Sequence, residues 1–147
     1  MTQIDFYVLS EQSDEATHHF IARLTEKAYG SGHQIFIYTE QIDQAKQLDE
    51  LLWRFRAESF LPHEITDANN PCAVTAINIS EQPAPDTLPK DLLINLNQQI
   101  PEAFTQYQRV IEIVSQHPDQ KQRAREHFKH YKAQGFSPRS HDIKNTV

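Results

Sequence analysis

Short apolar runs alternating with amphipathic stretches constrain this chain more than any other feature. Residues 4–9 (Ile-Asp-Phe-Tyr-Val-Leu) and 34–38 (Gln-Ile-Phe-Ile-Tyr) carry the β-branched and aromatic content of strands buried on both faces. Between them, Ser13, Asp14 and Glu15 supply an N-cap and early negative charge. Phe20, Ile21, Leu24 and Ala28 then form a helical stripe, which Gly30-Ser31-Gly32 stops. A β-α-β order with a helix of this length predicts a right-handed parallel pair. A second helix is expected from residue 41 to about 55, with Ile42, Ala45, Leu48 and Leu52 on one side. Further strands are expected at 72–79, 92–96 and 108–114, and a short helical turn at 100–104. Residues 59–63 are too short and proline-broken for a regular element, 67–71 are turn chemistry, and 81–90 a proline-rich polar loop. The pattern predicts one domain over residues 1–136, an open, mostly parallel five-stranded α/β sheet with helices on both faces. Residues 137–147 read as a frayed, flexible tail.

Size and cysteine usage narrow the setting. A chain of 147 residues is long enough for one domain with a full hydrophobic core. Its single cysteine, Cys72, excludes an internal disulfide framework and fits a reducing cytoplasm. The first residues lack the basic and long apolar regions of a signal peptide, and no stretch approaches membrane-spanning length.

An open α/β sheet raises the prospect of a nucleotide site, and the sequence argues against one. Cradling phosphate requires glycines where backbone N–H groups approach the anion, yet the first β-to-α turn, residues 10–15, has no glycine and three carboxylates. With three glycines in all (Gly30, Gly32, Gly135), neither a dinucleotide fingerprint nor a P-loop can be written. Eight histidines invite a metal reading. His18 and His19 point about 100° apart on a helix, His127 and His130 stand at i, i+3, and the lone cysteine is remote, so packed or solvated histidines are the expectation. Cys72 lies in an apolar strand pattern, where an inert thiol is the default, and no Gly-x-Ser-x-Gly elbow exists. A binding protein with no cofactor, no metal and no catalytic site follows.

Two stretches are suited to binding. The first is a helix from Lys121 toward Gly135, with Asp119 as its expected N-cap and Gly135 as its stop. Lys121, Arg125, Phe128, Lys129 and Lys132 fall on one narrow face of it, while Ala124 and Tyr131 turn toward a core. Such a face is either merely solvated or a docking surface. Residues 121–147 carry a net +5 while the whole chain carries −6, leaving −11 on residues 1–120. A basic segment on an acidic body favours an anionic partner met at one place, a small acidic peptide over a duplex. The second stretch, residues 51–63, holds the only tryptophan, two phenylalanines and two arginines, the residue types of interface hot spots; Trp53 and Phe60 could equally close one end of the core.

Leu52-Trp53 followed by Ser-Phe-Leu-Pro-His at 59–63, the N-terminal Phe-Tyr-Val-Leu strand, the Lys-x-x-x-Arg-x-x-Phe-Lys-x-Tyr-Lys helix and the Gly-Phe after it resemble the chi subunit of bacterial DNA polymerase III holoenzyme, from about residue 4 to 136. The resemblance implies a three-layer α/β/α, Rossmann-like fold and a non-enzymatic accessory role in the clamp-loader assembly. It implies two partners: the psi subunit, which tethers chi to the loader, and the acidic C-terminal tail of single-stranded-DNA-binding protein, so that DNA is met only indirectly. Carried onto this sequence, the tail site comprises Lys121, Arg125, Phe128 and Lys129 with Val114 as apolar neighbour, and Lys132 extends the same face. The psi-facing segment comprises Trp53, Phe60, Pro62 and His63. The chemistry agrees, since a tail that is acidic and apolar needs cations set around a hydrophobic floor. His127 and His130 near the pocket would add positive charge when protonated below about pH 6.5. A direct single-stranded nucleic-acid-binding domain using the basic helix is the alternative, and a small nucleotide-dependent enzyme a more distant one.

Overall fold

The computed structural model describes residues 2–10, 13–54, 63–65, 77–85, 88 and 90–143, with 53, 54 and 63–65 described by their backbone alone. Along the chain run β1 (Gln3–Leu9), α1 (Asp14–Gly30), β2 (Ile35–Tyr38), α2 (Ile42–Arg54), β3 (His63–Ile65), β4 (Ile77–Ser80) and β5 (Leu92–Asn95). A 3-10 turn (Glu102–Gln106), β6 (Arg109–Val114), α3 (Pro118–Ala133) and β7 (Arg139–Ile143) complete the order. The strands make one sheet in the order β3-β4-β2-β5-β6-β1-β7, and every neighbouring pair is parallel.

The pleat sorts the core into two layers. Ile35 and Ile37, Ile77 and Ile79, Leu92 and Ile94, Ile111 and Ile113 and Leu9 meet α1 (Ile21, Ala22) and α2 (Ala45, Leu48, Leu52) on one face. The alternate residues Ile4, Phe6, Phe36, Tyr38, Leu93, Val110 and Val114 meet Phe104 and Tyr107 of the 3-10 turn and Tyr131 of α3 on the other. Strands buried on both faces are why the sequence shows continuous apolar runs rather than alternation.

Local chemistry sets the helix ends. Ser13 caps α1, its Oγ accepting from the Ala16 N–H at 3.2 Å. Both α1 and α3 end in a Schellman motif: Gly32 and Gly135 adopt φ of 87° and 92°, with His33 N–H bonding Ala28 O and Phe136 N–H bonding Tyr131 O. At the start of α3 the cap is His117 rather than Asp119: its Nδ1 accepts from the Asp119 N–H at 3.3 Å. Pro118 fixes a helical φ at the first position, so the helix begins earlier than acidic capping alone suggests.

The sheet has seven strands where the apolar pattern predicts five. The short strand β3 forms at His63–Ile65, starting on the last residue of the stretch read as too proline-broken for a regular element, and pairs with β4. Strand β7 forms within the stretch read as a tail. Its sequence, Arg-Ser-His-Asp-Ile, has no apolar run because it is an edge strand, held by its pairing with β1 and by two side-chain ties. His141 Nε2 lies 2.9 Å from Asp5 Oδ1 and its ring stacks on Tyr7 at 5.1 Å, while Ile143 packs against the α1-side core.

Candidate functional site

Helix α3 presents two different sides. Ala124, His127 and Tyr131, at offsets 0, 3 and 7, turn inward; Tyr131 is fully buried, His127 is buried and Ala124 half-buried. On the other side Arg125, Lys129 and Lys132 are exposed and Lys121 is half-buried. Phe128 sits among them, half-buried, its ring centroid 5.4 Å from that of Phe6 and Lys132 Nζ 5.8 Å from its own. Arg123 departs from this face, its guanidinium donating to Leu96 O at 3.3 Å.

The apolar ground beneath that face comes from the sheet. Val114, the last residue of β6, is buried in one cluster with Phe6, and Val8 and Phe128 pack against it. Strand register places Val8 between Val114 of β6 and Asp142 of β7, and Phe6 beside Ser140, so these residues share the α3-side face of the sheet. Ser140 and Asp142 are exposed and Val8 half-buried. A shallow floor therefore runs from Val114 across Val8 to β7, alongside the Phe128 edge of the helix. Strand β7 and its Ser140 and Asp142 were not legible as part of this ground, because a polar edge strand carries no periodic signal.

Under the helix lies a polar cluster that the sequence did not announce. Glu112 of β6, 2 % exposed, accepts from Tyr131 OH at 2.7 Å and Asn95 Nδ2 at 2.8 Å on one oxygen, and faces His127 Nδ1 at 3.0 Å with the other. His127 Nε2 lies 2.7 Å from the backbone oxygen of Gln98. Burial pulls the imidazole toward its neutral form, but the hydrogen bond and charge of Glu112, with the Gln98 carbonyl, outweigh burial and the Arg123 charge and raise it above its ordinary 6.5. Burial and the Glu112 carboxylate keep the Tyr131 phenol protonated. His127 is thus not a pocket cation; His130 is the exposed one, its ring 6.2 Å from Phe104. The only sequence signal was the spacing that sets His127 in line with Ala124 and Tyr131.

At the carboxyl end of the sheet, where open α/β folds hold ligands, a cleft of about 510 Å³ is lined by Asp14, Glu40, Asp119 and Glu126 against the single Arg123. Carboxylates there repel the phosphates of a nucleotide. Among the described residues no group of three or more His, Cys, Asp or Glu is arranged to hold a metal ion, and no helix is long and apolar enough to cross a membrane. Of the residues expected from the sequence to face psi, Phe60 and Pro62 lie outside the described residues, as does Cys72. Trp53 stands near the end of α2 and His63 opens β3, both with side chains outside that description.

Comparison with known proteins returns one consistent answer. The family described as DNA polymerase III chi subunit, HolC, matches residues 1–139. The DNA polymerase III subunit chi of Pseudomonas aeruginosa is 35 % identical over 143 residues, covering 97 % of this chain and 98 % of its own. The chi subunits of Haemophilus influenzae and Escherichia coli are 30 % and 28 % identical over 132 and 141 residues, covering 90 % and 93 % of this chain and 91 % and 95 % of theirs. With a parallel α/β sheet, a basic aromatic helix face over an apolar floor and a match along nearly its whole length, the chain belongs to the DNA polymerase III chi subunit family.

Proposed function

We propose that this chain is a non-catalytic, cytoplasmic accessory subunit of a DNA polymerase III clamp-loader assembly, and that its α3 face docks the acidic C-terminal tail of single-stranded-DNA-binding protein. In this reading the segment around Trp53, Phe60, Pro62 and His63 faces the psi subunit, and DNA is reached only through these partners. The observation that carries the tail assignment is the arrangement of Arg125, Lys129 and Lys132 in solvent, with half-buried Lys121, around Phe128 and next to the floor of Val114 and Val8. Arg125 offers a carboxylate two parallel N–H donors, the lysines add point charges, and Phe128 with the sheet floor takes an apolar end residue. The acid-lined cleft at the strand ends, hostile to anionic substrates, supports the non-catalytic half.

Exposed ion pairs contribute about 0.2–1 kcal/mol each, so several act together and an isolated tail binds with micromolar affinity, about 7–9 kcal/mol. Fluorescence anisotropy of a labelled peptide copying the tail, titrated with the wild-type chain and with Arg125→Ala, tests the reading. Saturable binding weakened at least about tenfold by the substitution is expected, the scale of a lost charge-assisted hydrogen bond. No binding by the wild-type chain returns α3 to a solvated basic face.

A further inference from the structure

We infer that His127 is held as an imidazolium clamped between Glu112 and the Gln98 carbonyl, and that this one buried proton seats α3 and makes acidic-tail binding weaken as the pH rises. The inference deepens the tail-docking reading and rests on it for the partner, but the clamp itself rests on geometry. A carbonyl oxygen can only accept, so His127 Nε2, 2.7 Å from Gln98 O, must carry a hydrogen. In the neutral ring that leaves Nδ1 bare, its lone pair 3.0 Å from Glu112 Oε1. Two lone pairs at that distance repel, so a proton must lie between them. It could belong to Glu112 instead, but the other carboxylate oxygen already accepts from Tyr131 OH and Asn95 Nδ2, and donors converging on a carboxylate favour its ionised form. Placing the proton on the ring satisfies every contact.

The charged and titratable surroundings are few. Glu112 faces the ring from β6 and the Gln98 carbonyl from the loop after β5, while Asn95 of β5 and Tyr131 of α3 meet the other Glu112 oxygen; Arg123, on α3, is the remaining charge that acts on it. Of these only Arg123 disfavours the imidazolium, and its guanidinium is turned toward Leu96 O.

The position gives the proton a consequence for docking. His127 joins α3 to both β6 and the loop at Gln98, and its neighbour in sequence, Phe128, is the aromatic centre of the outer face. Loss of the proton sets a bare nitrogen against a buried carboxylate, and the contact is relieved only by moving the ring or the helix that carries it. His127 lies on the buried side of α3, so the effect reaches the tail through the seating of Phe128 and Arg125 rather than by direct contact. The sign is fixed: a group bound more tightly to its proton in the folded chain contributes fully below 6.5 and loses that contribution as pH rises through its folded value.

Imidazole nitrogen and carbon chemical shifts of the folded chain, followed by NMR from pH 6 to 9, read the ring directly. His127 is expected to keep its imidazolium shifts to higher pH than an ordinary histidine; an ordinary titration overturns the clamp. Anisotropy with the acidic tail peptide over the same range then reads the coupling. Wild-type affinity is expected to weaken at least about fivefold toward pH 9, the low end of ordinary coupling between sites. His127→Arg, a permanently charged donor to the same two acceptors, is expected to flatten the profile. Parallel profiles for wild type and variant overturn the coupling, and if the variant does not fold, a wild-type profile that fails to follow the NMR titration does the same. A peptide that binds at no pH overturns the tail reading and the regulation with it, while the ring shifts still decide the clamp.

Discussion

Asp5 shows how single buried charges hold this fold together. It is 1 % exposed and receives three donors: Arg109 Nε at 2.8 Å, His141 Nε2 at 2.9 Å and Gln3 Nε2 at 2.8 Å. Burial pushes its carboxyl upward, but the hydrogen bonds from His141, Arg109 and Gln3 and the Arg109 charge outweigh it and hold the group below its ordinary 3.8. A depressed folded value means that the stabilisation is complete above 3.8 and is lost as pH falls through the lower folded value. Asp5→Asn keeps the shape but removes the charge and turns one acceptor into a donor facing donors. About 2–3 kcal/mol of stability is expected to go, a fall of roughly 5–10 °C in Tm for a domain of this size. Differential scanning calorimetry at pH 7 and pH 3 checks it. The gap between wild type and variant should narrow at the lower pH, and a gap that stays constant would remove the linkage argument.

At the scale of elements, legibility followed the physics of burial. Strands covered on both faces must be apolar along their length, so β1, β2, β5 and β6 were readable to within a residue or two. The Schellman glycines closed α1 and α3 where expected, because only glycine takes that backbone without strain. Strand β7 was not readable. Its stabilisation comes from the β1 edge and from Asp5, more than a hundred residues away, and no local window contains that information. The basic face of α3 was legible as a helical stripe, but the apolar floor beside it was not, since Val8 and β7 join Val114 only through strand register. The same strand tests how much it matters. A chain ending at Pro138 keeps every cation of α3 and loses β7, so a docking face built from α3 alone would bind the tail peptide unchanged. The expected outcome is a lower Tm, from loss of the His141 tie and the β1 pairing, together with tail affinity weakened several-fold at a temperature where the shortened chain is still folded. Calorimetry and anisotropy on one preparation separate the two effects.

Over the whole molecule the decisive quantity is where charge lies. The chain carries −6 overall, while residues 121–147 carry +5, so the outward basic face of α3 is set in an acidic body. The cleft at the strand ends adds Asp14, Glu40, Asp119 and Glu126 near the start of that helix. A short acidic peptide can lie on the Phe128 face among Lys121, Arg125, Lys129 and Lys132, with Asp142 only at the β7 edge of the floor. A nucleic-acid strand long enough to gain affinity from many phosphates would run off the patch onto repelling carboxylates. The described part of the face also has one aromatic, Phe128, flanked by aliphatic floor residues, rather than a series of rings on which successive bases stack. Direct binding of single-stranded DNA and capture of an acidic tail therefore separate in a single comparison. In an electrophoretic shift at low salt, oligo(dT) alone should not be retarded by the chain, whereas oligo(dT) coated with single-stranded-DNA-binding protein should be retarded further. The supershift should disappear when that protein lacks its acidic tail, and should weaken as ionic strength rises past about 0.15 M, where the Debye length falls to roughly 8 Å. Retardation of bare oligo(dT) at comparable chain concentrations would transfer the role of α3 to nucleic acid and leave the acidic body to be explained by a different partner.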